Sequence, residues 1–161
     1  MKDITYKPIG IIHSPFKKPQ GTPIQSSAGK DIKGTIEIFP DYVDGLKDLE
    51  GFSHIILLFH FHLVKKTILQ GKPFMDDEKH GIFAIRGPSR PNTIGLSIVR
   101  LTGVKDNILY IKDLDIVDGT PLLDVNPYIT QFDQREKIKI GWLEKNIDKL
   151  SKTIDDGRFI K

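Results

Sequence analysis

Cysteine is absent from all 161 residues, which removes disulfide frameworks, thiolate nucleophiles and zinc-cysteine centres from consideration. Long apolar runs are missing as well. The longest, Ile55 to Phe59, falls far short of the roughly 20 residues a helix needs to cross a bilayer. Met1-Lys2-Asp3-Ile4-Thr5 lacks the apolar stretch of a secretory signal, so a soluble cytoplasmic protein without membrane contact is expected. No internal repeat, Gly-rich dinucleotide fingerprint or phosphate loop occurs, and no block of like charge marks a disordered tail.

What is there belongs to an ordinary globular chain. Hydrophobic residues make up 39% and charged residues 28%, a balance able to bury a self-sufficient core. A net charge of +3 permits a nucleic-acid partner without demanding one.

The segments read mostly as short strands. Lys7 to His13, Gly34 to Phe39, Phe52 to Phe61, Gly81 to Ile85, Leu96 to Val104 and Ile108 to Asp113 are β-branched or alternating, with a hairpin expected at Asp106-Asn107. Between the first two lies Phe16 to Lys33, rich in Pro, Gly and Ser and longer than an idle connection, hence a candidate functional loop. Asp41 to Gly51 reads as a short helix capped by Asp41, with Val43, Leu46 and Leu49 on one face. Leu143, Ile147, Leu150 and Ile154 have helical spacing, so an amphipathic helix is expected over 141–154, with Trp142 as a packing anchor. The expected architecture is mainly β: a small antiparallel barrel over 1–132, with a helical tail over 133–161 packed on the barrel or on a second subunit.

Between two apolar runs sits Arg86-Gly-Pro-Ser-Arg-Pro-Asn-Thr-Ile-Gly-Leu-Ser97. Its prolines stiffen the backbone, so Arg86 and Arg90 are presented from a rigid support. Guanidinium forks suit carboxylates, phosphates or base edges, and the Asn92 amide both donates and accepts. The bland alternative is a surface loop with exposed ion pairs. His54, His60 and His62 share one parity on the third strand, opposite Ile55, Leu57 and Phe59. With His80, the pair His60 and His62 makes a candidate metal set, against the reading that these histidines line a ligand pocket; no metal is expected. Asp115, Asp118 and Asp124 alternate with apolar residues around a Gly-Thr-Pro bend and supply acceptor carboxylates or merely Asx-turns.

Three strings carry a family resemblance: Phe52-Ser-His-Ile-Ile, Arg86 with Arg90-Pro-Asn-Thr-Ile-Gly-Leu-Ser97, and Asp118-Gly-Thr-Pro-Leu-Leu-Asp-Val-Asn-Pro-Tyr128. From Ile9 to about Tyr128 the chain resembles the TsaA-like (TrmO) family of S-adenosylmethionine-dependent tRNA methyltransferases. Pro23-Ile24-Gln25 resembles that family's Pro-Arg-Gln motif, and Thr93 and Asn126 stand where the family usually has proline and lysine. The resemblance implies a homodimeric β-barrel enzyme that methylates N6 of threonylcarbamoyladenosine beside the tRNA anticodon. It implies cofactor contacts at Pro23, Ile24, Gln25, His62, Leu63, Arg86, Leu96, Asp115, Ile116, Val117, Asp118 and Gly119. Arg90, Asn92, Asn126 and Tyr128 are the candidates for binding the base, and His62 or Asp118 for accepting the N6 proton. Two rivals stay open: a metal enzyme built on His60, His62 and His80, and a non-catalytic nucleotide- or RNA-binding barrel.

Overall fold

Alternation of inward and outward side chains along each strand builds the body. In the computed structural model, which describes residues 1–160, strands β1 (Gly10–His13), β2 (Lys33–Ile38) and β3 (His54–His60) turn Ile12, Ile36, Ile38, Ile55, Leu57 and Phe59 inward. Two residue pairs further on, β4 (Gln70–Gly71) and β5 (His80–Gly81), form a separate ribbon. The remaining strands β6 (Ile94–Lys105), β7 (Ile108–Lys112) and β8 (Thr120–Pro127) add Val99, Leu101, Leu109, Ile111 and Leu122. All pairings are antiparallel, and the order β1-β2-β7-β6-β3-β8 closes when β8 pairs back on β1, Gly10 opposite Leu122. Closure leaves no free edge on the main sheet.

The β6–β7 hairpin forms where expected. Asp106 adopts φ 54° in place of the usual glycine, and the Asn107 side chain donates to the Ile38 carbonyl at 2.9 Å, tying the turn to β2. Gly95 answers a packing demand: a Cβ there would strike the rings of Phe59 and Phe61, which meet edge to face at 5.2 Å.

Three local expectations need correction. The stretch after Phe39 is 3-10 rather than α, Pro40–Leu46 and then Leu49–Gly51, broken by Asp48 at φ 66°, and Asp41 caps nothing. Its apolar face is nonetheless right, since Val43, Leu46 and Leu49 pack on the barrel core. Gly81–Ile85 is not a strand: only His80–Gly81 pairs, and Ile82–Ala84 is a 3-10 turn. The expected amphipathic helix is two 3-10 pieces, Gly141–Lys145 and Ile147–Lys152, split at Asn146, and the only α-helix among the described residues is α1 (Thr130–Asp133). Hooks to the body hold the tail: Trp142 Nε1 donates to the Ala84 carbonyl at 2.8 Å, and its indole stacks on His80 at 4.8 Å. Lys161, the end of the expected tail, lies outside the described residues.

Between β3 and β6 the chain leaves the barrel over residues 61–93 and makes a second, smaller core of Ile82 and Ile85, flanked by Ile68, Phe74 and Trp142. Phe159, from the far end of the chain, completes it. A cleft lies between this excursion, the loop before β2 and the adjoining barrel end.

Candidate functional site

The cleft has a volume of about 350 Å³, within the span usual for small-molecule sites. Four separated segments that carry expected residues meet on it. The loop before β2 contributes Pro23, Ile24 and Gln25; the turn after β3 contributes His62 and Leu63; the arginine loop contributes Arg86 and, where it enters β6, Leu96; the β7–β8 connection contributes Asp115, Ile116 and Val117. Ten of the twelve expected cofactor residues therefore line one cavity. The other two do not.

Asp118 faces the end of β1 instead. Its carboxylate accepts from Lys17 Nζ at 2.6 Å and from the Ser14 amide at 3.0 Å, and these donors hold its pKa below the usual carboxylate range. Gly119, at φ 77°, forms the bend that turns the chain into β8, where a side chain would be strained. Asp118 and Gly119 thus set the path of the segment that carries Asp115.

Asp115 lies below the rim. Ser97 Oγ donates to its Oδ1 at 2.7 Å, and burial pushes its pKa up to about 6 even though part of the residue stays open to the cleft and Arg86 pulls the other way. His62 is half-buried; desolvation first, and the neighbouring His60 second, lower its pKa, so its ring is neutral near pH 7. Arg86 is exposed, and one guanidinium nitrogen donates to Gln25 Oε1 at 2.9 Å, which links the arginine loop to the loop before β2.

Of the four residues expected to bind the base, only Arg90 lines the cleft, and it is largely spoken for. It donates to the carbonyls of Ile82 and Ile85 at 3.0 and 2.7 Å and lies 5.9 Å from the Phe83 ring centre, so it fastens the excursion onto the loop. Asn92 is exposed at the entry to β6. Asn126 and Tyr128 stand at the other end of the barrel, Asn126 donating to Asp124 and Tyr128 edge-on to His54. The candidate metal set is dispersed: His80 pairs with Asp76 at 3.1 Å and stacks on Trp142, whereas His60 contacts the Thr93 hydroxyl at 3.1 Å. No group of three or more His, Cys, Asp or Glu with metal-holding geometry occurs among the described residues.

Residues from the tail line the cleft that the sequence did not suggest: Asp155 and Ile160. Residue 154 bridges Pro23, the Asp155 amide donates to the Thr22 carbonyl at 2.9 Å, and Gly21 donates back at 2.8 Å. The only cue in the sequence was Asp155-Asp156-Gly157, a turn signal at the end of a supposed helix.

The tRNA-methyltransferase O N-terminal domain family matches residues 11–134. The chain belongs to the TrmO family. A probable S-adenosyl-L-methionine-binding protein of Pyrococcus abyssi is 62% identical over 97% of this chain and 85% of its own length. The tRNA (adenine(37)-N6)-methyltransferase of Mus musculus is 35% identical over 83% of this chain, which spans only 33% of the mouse protein. The crystal structure of TrmO from Pseudomonas aeruginosa superimposes with a TM-score of 0.73 at 34% identity, covering 88% of this chain and 63% of the solved one. The TrmO match stops before the tail, so Asp155 and Ile160 come from outside the matched domain. No helix among the described residues is long and apolar enough to cross a membrane.

Proposed function

We propose that this protein is an S-adenosylmethionine-dependent tRNA methyltransferase acting on N6 of threonylcarbamoyladenosine beside the anticodon, with its cofactor in the cleft. The observation that carries the reading is the convergence of ten expected cofactor residues, from four parts of the chain, on one cavity of suitable size. The residues also fit the group chemically. Arg86 offers a fork to a carboxylate; Pro23, Ile24, Leu63, Leu96, Ile116 and Val117 give apolar walls; Asp115 opposes a cation.

When bound, the cofactor supplies an electrophilic methyl group on a positively charged sulfur. The protein's own task is then to orient two reactants and exclude water rather than to stabilise a new anion. His62, neutral because burial and His60 lower its pKa, takes the N6 proton at a ring nitrogen. Asp118, already paired with Lys17 and the Ser14 amide, acts as a positioning residue for the 115–119 segment.

The protein works as a homodimer. Ile94, Leu96 and Ile98 are 38%, 46% and 36% exposed on the outer face of β6, directly across from His60, Leu58 and Ile56 of β3. Such an apolar patch on a barrel wall is suited to a second copy. Ile94 and Leu96 also line the cleft, and Asn126 pairs with Ile56 at the patch border, so a partner subunit would bring its own Asn126 and Tyr128 toward the site. Exposed Lys65, Lys66, Lys72 and Lys79 on the excursion give the anticodon loop a cationic approach. Such a substrate implies work in the cytoplasm.

Calorimetric titration with S-adenosylmethionine tests the cofactor assignment. Micromolar or tighter binding is expected, with Arg86→Lys weakening it about tenfold because charge is kept and the fork is lost. Unchanged affinity in Arg86→Lys sinks the arginine's role. Methylation of tRNA carrying the threonylcarbamoyl base, lost in tRNA lacking it, then identifies the substrate.

A further inference from the structure

The C-terminal segment 153–160 behaves as a strap across the cleft. Its antiparallel contact with residues 21–23 lays it beside the loop that carries Pro23, Ile24 and Gln25. Phe159, only 8% exposed, is sunk into the second core, and the Ser89 hydroxyl donates to its carbonyl at 2.8 Å. Arg158 donates to the Pro73 carbonyl at 2.8 Å and stacks over Phe74. Gly157 adopts φ 81° and packs against Gln20 so closely that a Cβ would overlap its amide. These ties fix the position of the one acidic side chain the strap gives to the cavity.

That side chain is Asp155. One oxygen, Oδ1, accepts the Gly157 amide at 2.6 Å, and no lysine, arginine or histidine among the described residues makes an ion pair with it. Arg158, two positions after Gly157's neighbour Asp156, is already committed to Asp156 and the Pro73 carbonyl. The carboxylate is half-buried in the cleft wall, and burial, together with repulsion from Asp156, raises its pKa against the pull of the Gly157 amide and of the nearby Arg158 charge. A half-buried carboxylate with no ion-pair partner of its own costs the free protein stability, and such a cost is commonly kept for a ligand.

We propose that Asp155 is a second cation-binding carboxylate of the cleft beside Asp115, supplied by the strap, and that it contacts a positively charged group of the cofactor. This rests on the cofactor reading above. Arg86 takes the anionic end of the same ligand and Asp155 a cationic one, so the tail, outside the matched family domain, selects for charge in a site whose remaining walls are mostly apolar. The cofactor offers two cations, the ammonium of its amino-acid portion and the sulfonium, and the test separates them.

Asp155→Asn keeps an oxygen for the Gly157 amide and removes only the charge. The parent and this variant are titrated with S-adenosylmethionine, which carries both cations, with S-adenosylhomocysteine, which carries the ammonium alone, and with 5′-methylthioadenosine, which carries neither. The expected result is an affinity for S-adenosylmethionine lowered about tenfold or more with 5′-methylthioadenosine unaffected. Equal loss for S-adenosylhomocysteine puts the contact at the ammonium; no loss puts it at the sulfonium. The melting temperature of the unliganded variant is expected to equal or exceed the parent's, which a purely structural aspartate would not give. Unchanged S-adenosylmethionine affinity, or an equal loss for all three probes, overturns the proposal while leaving the cofactor reading intact. A parent that binds none of them overturns both.

Discussion

The two sides of the cleft are built by different physics. On the barrel side, His62, Leu96 and Asp115 hang from, or directly adjoin, strands whose backbone groups are paired around a closed sheet. On the other side, Asp155 and Ile160 ride on a segment of bends held by scattered hooks: one isolated bridge, one buried hydroxyl and one sunken ring. A closed sheet gives positional precision through many mutually supporting bonds. A strap gives it through a few, and each can be removed separately. The barrel wall should therefore fail all at once and the strap wall piece by piece.

The largest effect belongs to the barrel. Leu122 is fully buried on β8 at the seam with β1, so Leu122→Ala is expected to cost about 2–5 kcal/mol of global stability. Chemical denaturation followed by barrel and tail probes should show both moving together. Phe159→Ala removes a large side chain from the small second core and costs about 3 kcal/mol, the low end for such a change, because the site lies beside solvent and can collapse. Its signature differs: cofactor affinity should fall while exchange protection in the barrel strands β1, β2, β3, β6, β7 and β8 is retained. Loss of protection throughout the barrel would erase the distinction between the walls.

How much of this was legible in the sequence follows the same division. Alternating, β-branched or strongly apolar runs are local patterns, so the strands carrying Ile12, Ile36, Leu57, Val99 and Leu109 could be read from them, whereas β8 with Leu122, holding Pro121 near its start and Pro127 at its end, was not among the expected strands. The proline-stiffened arginine loop also announced itself, although Arg90 is used mostly to hold Ile82 and Ile85. The tail misled because Leu143, Ile147, Leu150 and Ile154 fit a helix, yet Ile147 and Ile154 are exposed and Asn146 divides the segment. Long-range hooks, not periodicity, decide the tail's path. Asp155's place in the cleft depends on a bridge to residue 23, a pairing no spacing reports. Asp118 was singled out by its motif, but only the fold shows Lys17 and Ser14 claiming its carboxylate.

Acid titration sharpens the contrast at intermediate magnitude. Asp115 belongs to the barrel wall, and burial lifts its pKa from the usual 3.8 to about 6. A carboxyl raised in the folded state favours folding below the unfolded value and loses that contribution as pH rises through the folded one. Asp115→Asn should therefore raise unliganded stability at pH 7 and leave it unchanged below pH 3.8. Cofactor affinity in the parent should weaken as pH falls through about 6, where Asp115 gains its proton, and that step should vanish in Asp115→Asn. A profile identical in both proteins would remove Asp115 from cation binding.

The smallest expected change tests whether the tail is a separate unit at all. Trp142→Phe keeps a ring to stack on His80 but deletes the indole N–H that donates to the Ala84 carbonyl. One hydrogen bond at a partly exposed site contributes about 0.5–1.5 kcal/mol, and here the lower figure applies because water can replace the donor. Hydrogen exchange should quicken over 141–152 and stay unchanged in the barrel strands β1, β2, β3, β6, β7 and β8. Because Phe159 stays sunk in the second core, whose flank a phenylalanine ring at 142 still covers, Asp155 should keep its place and cofactor affinity should hold. If affinity fell with the faster exchange, the two 3-10 turns and the strap would be one lever, and the cleft's outer wall would answer to any contact along the tail.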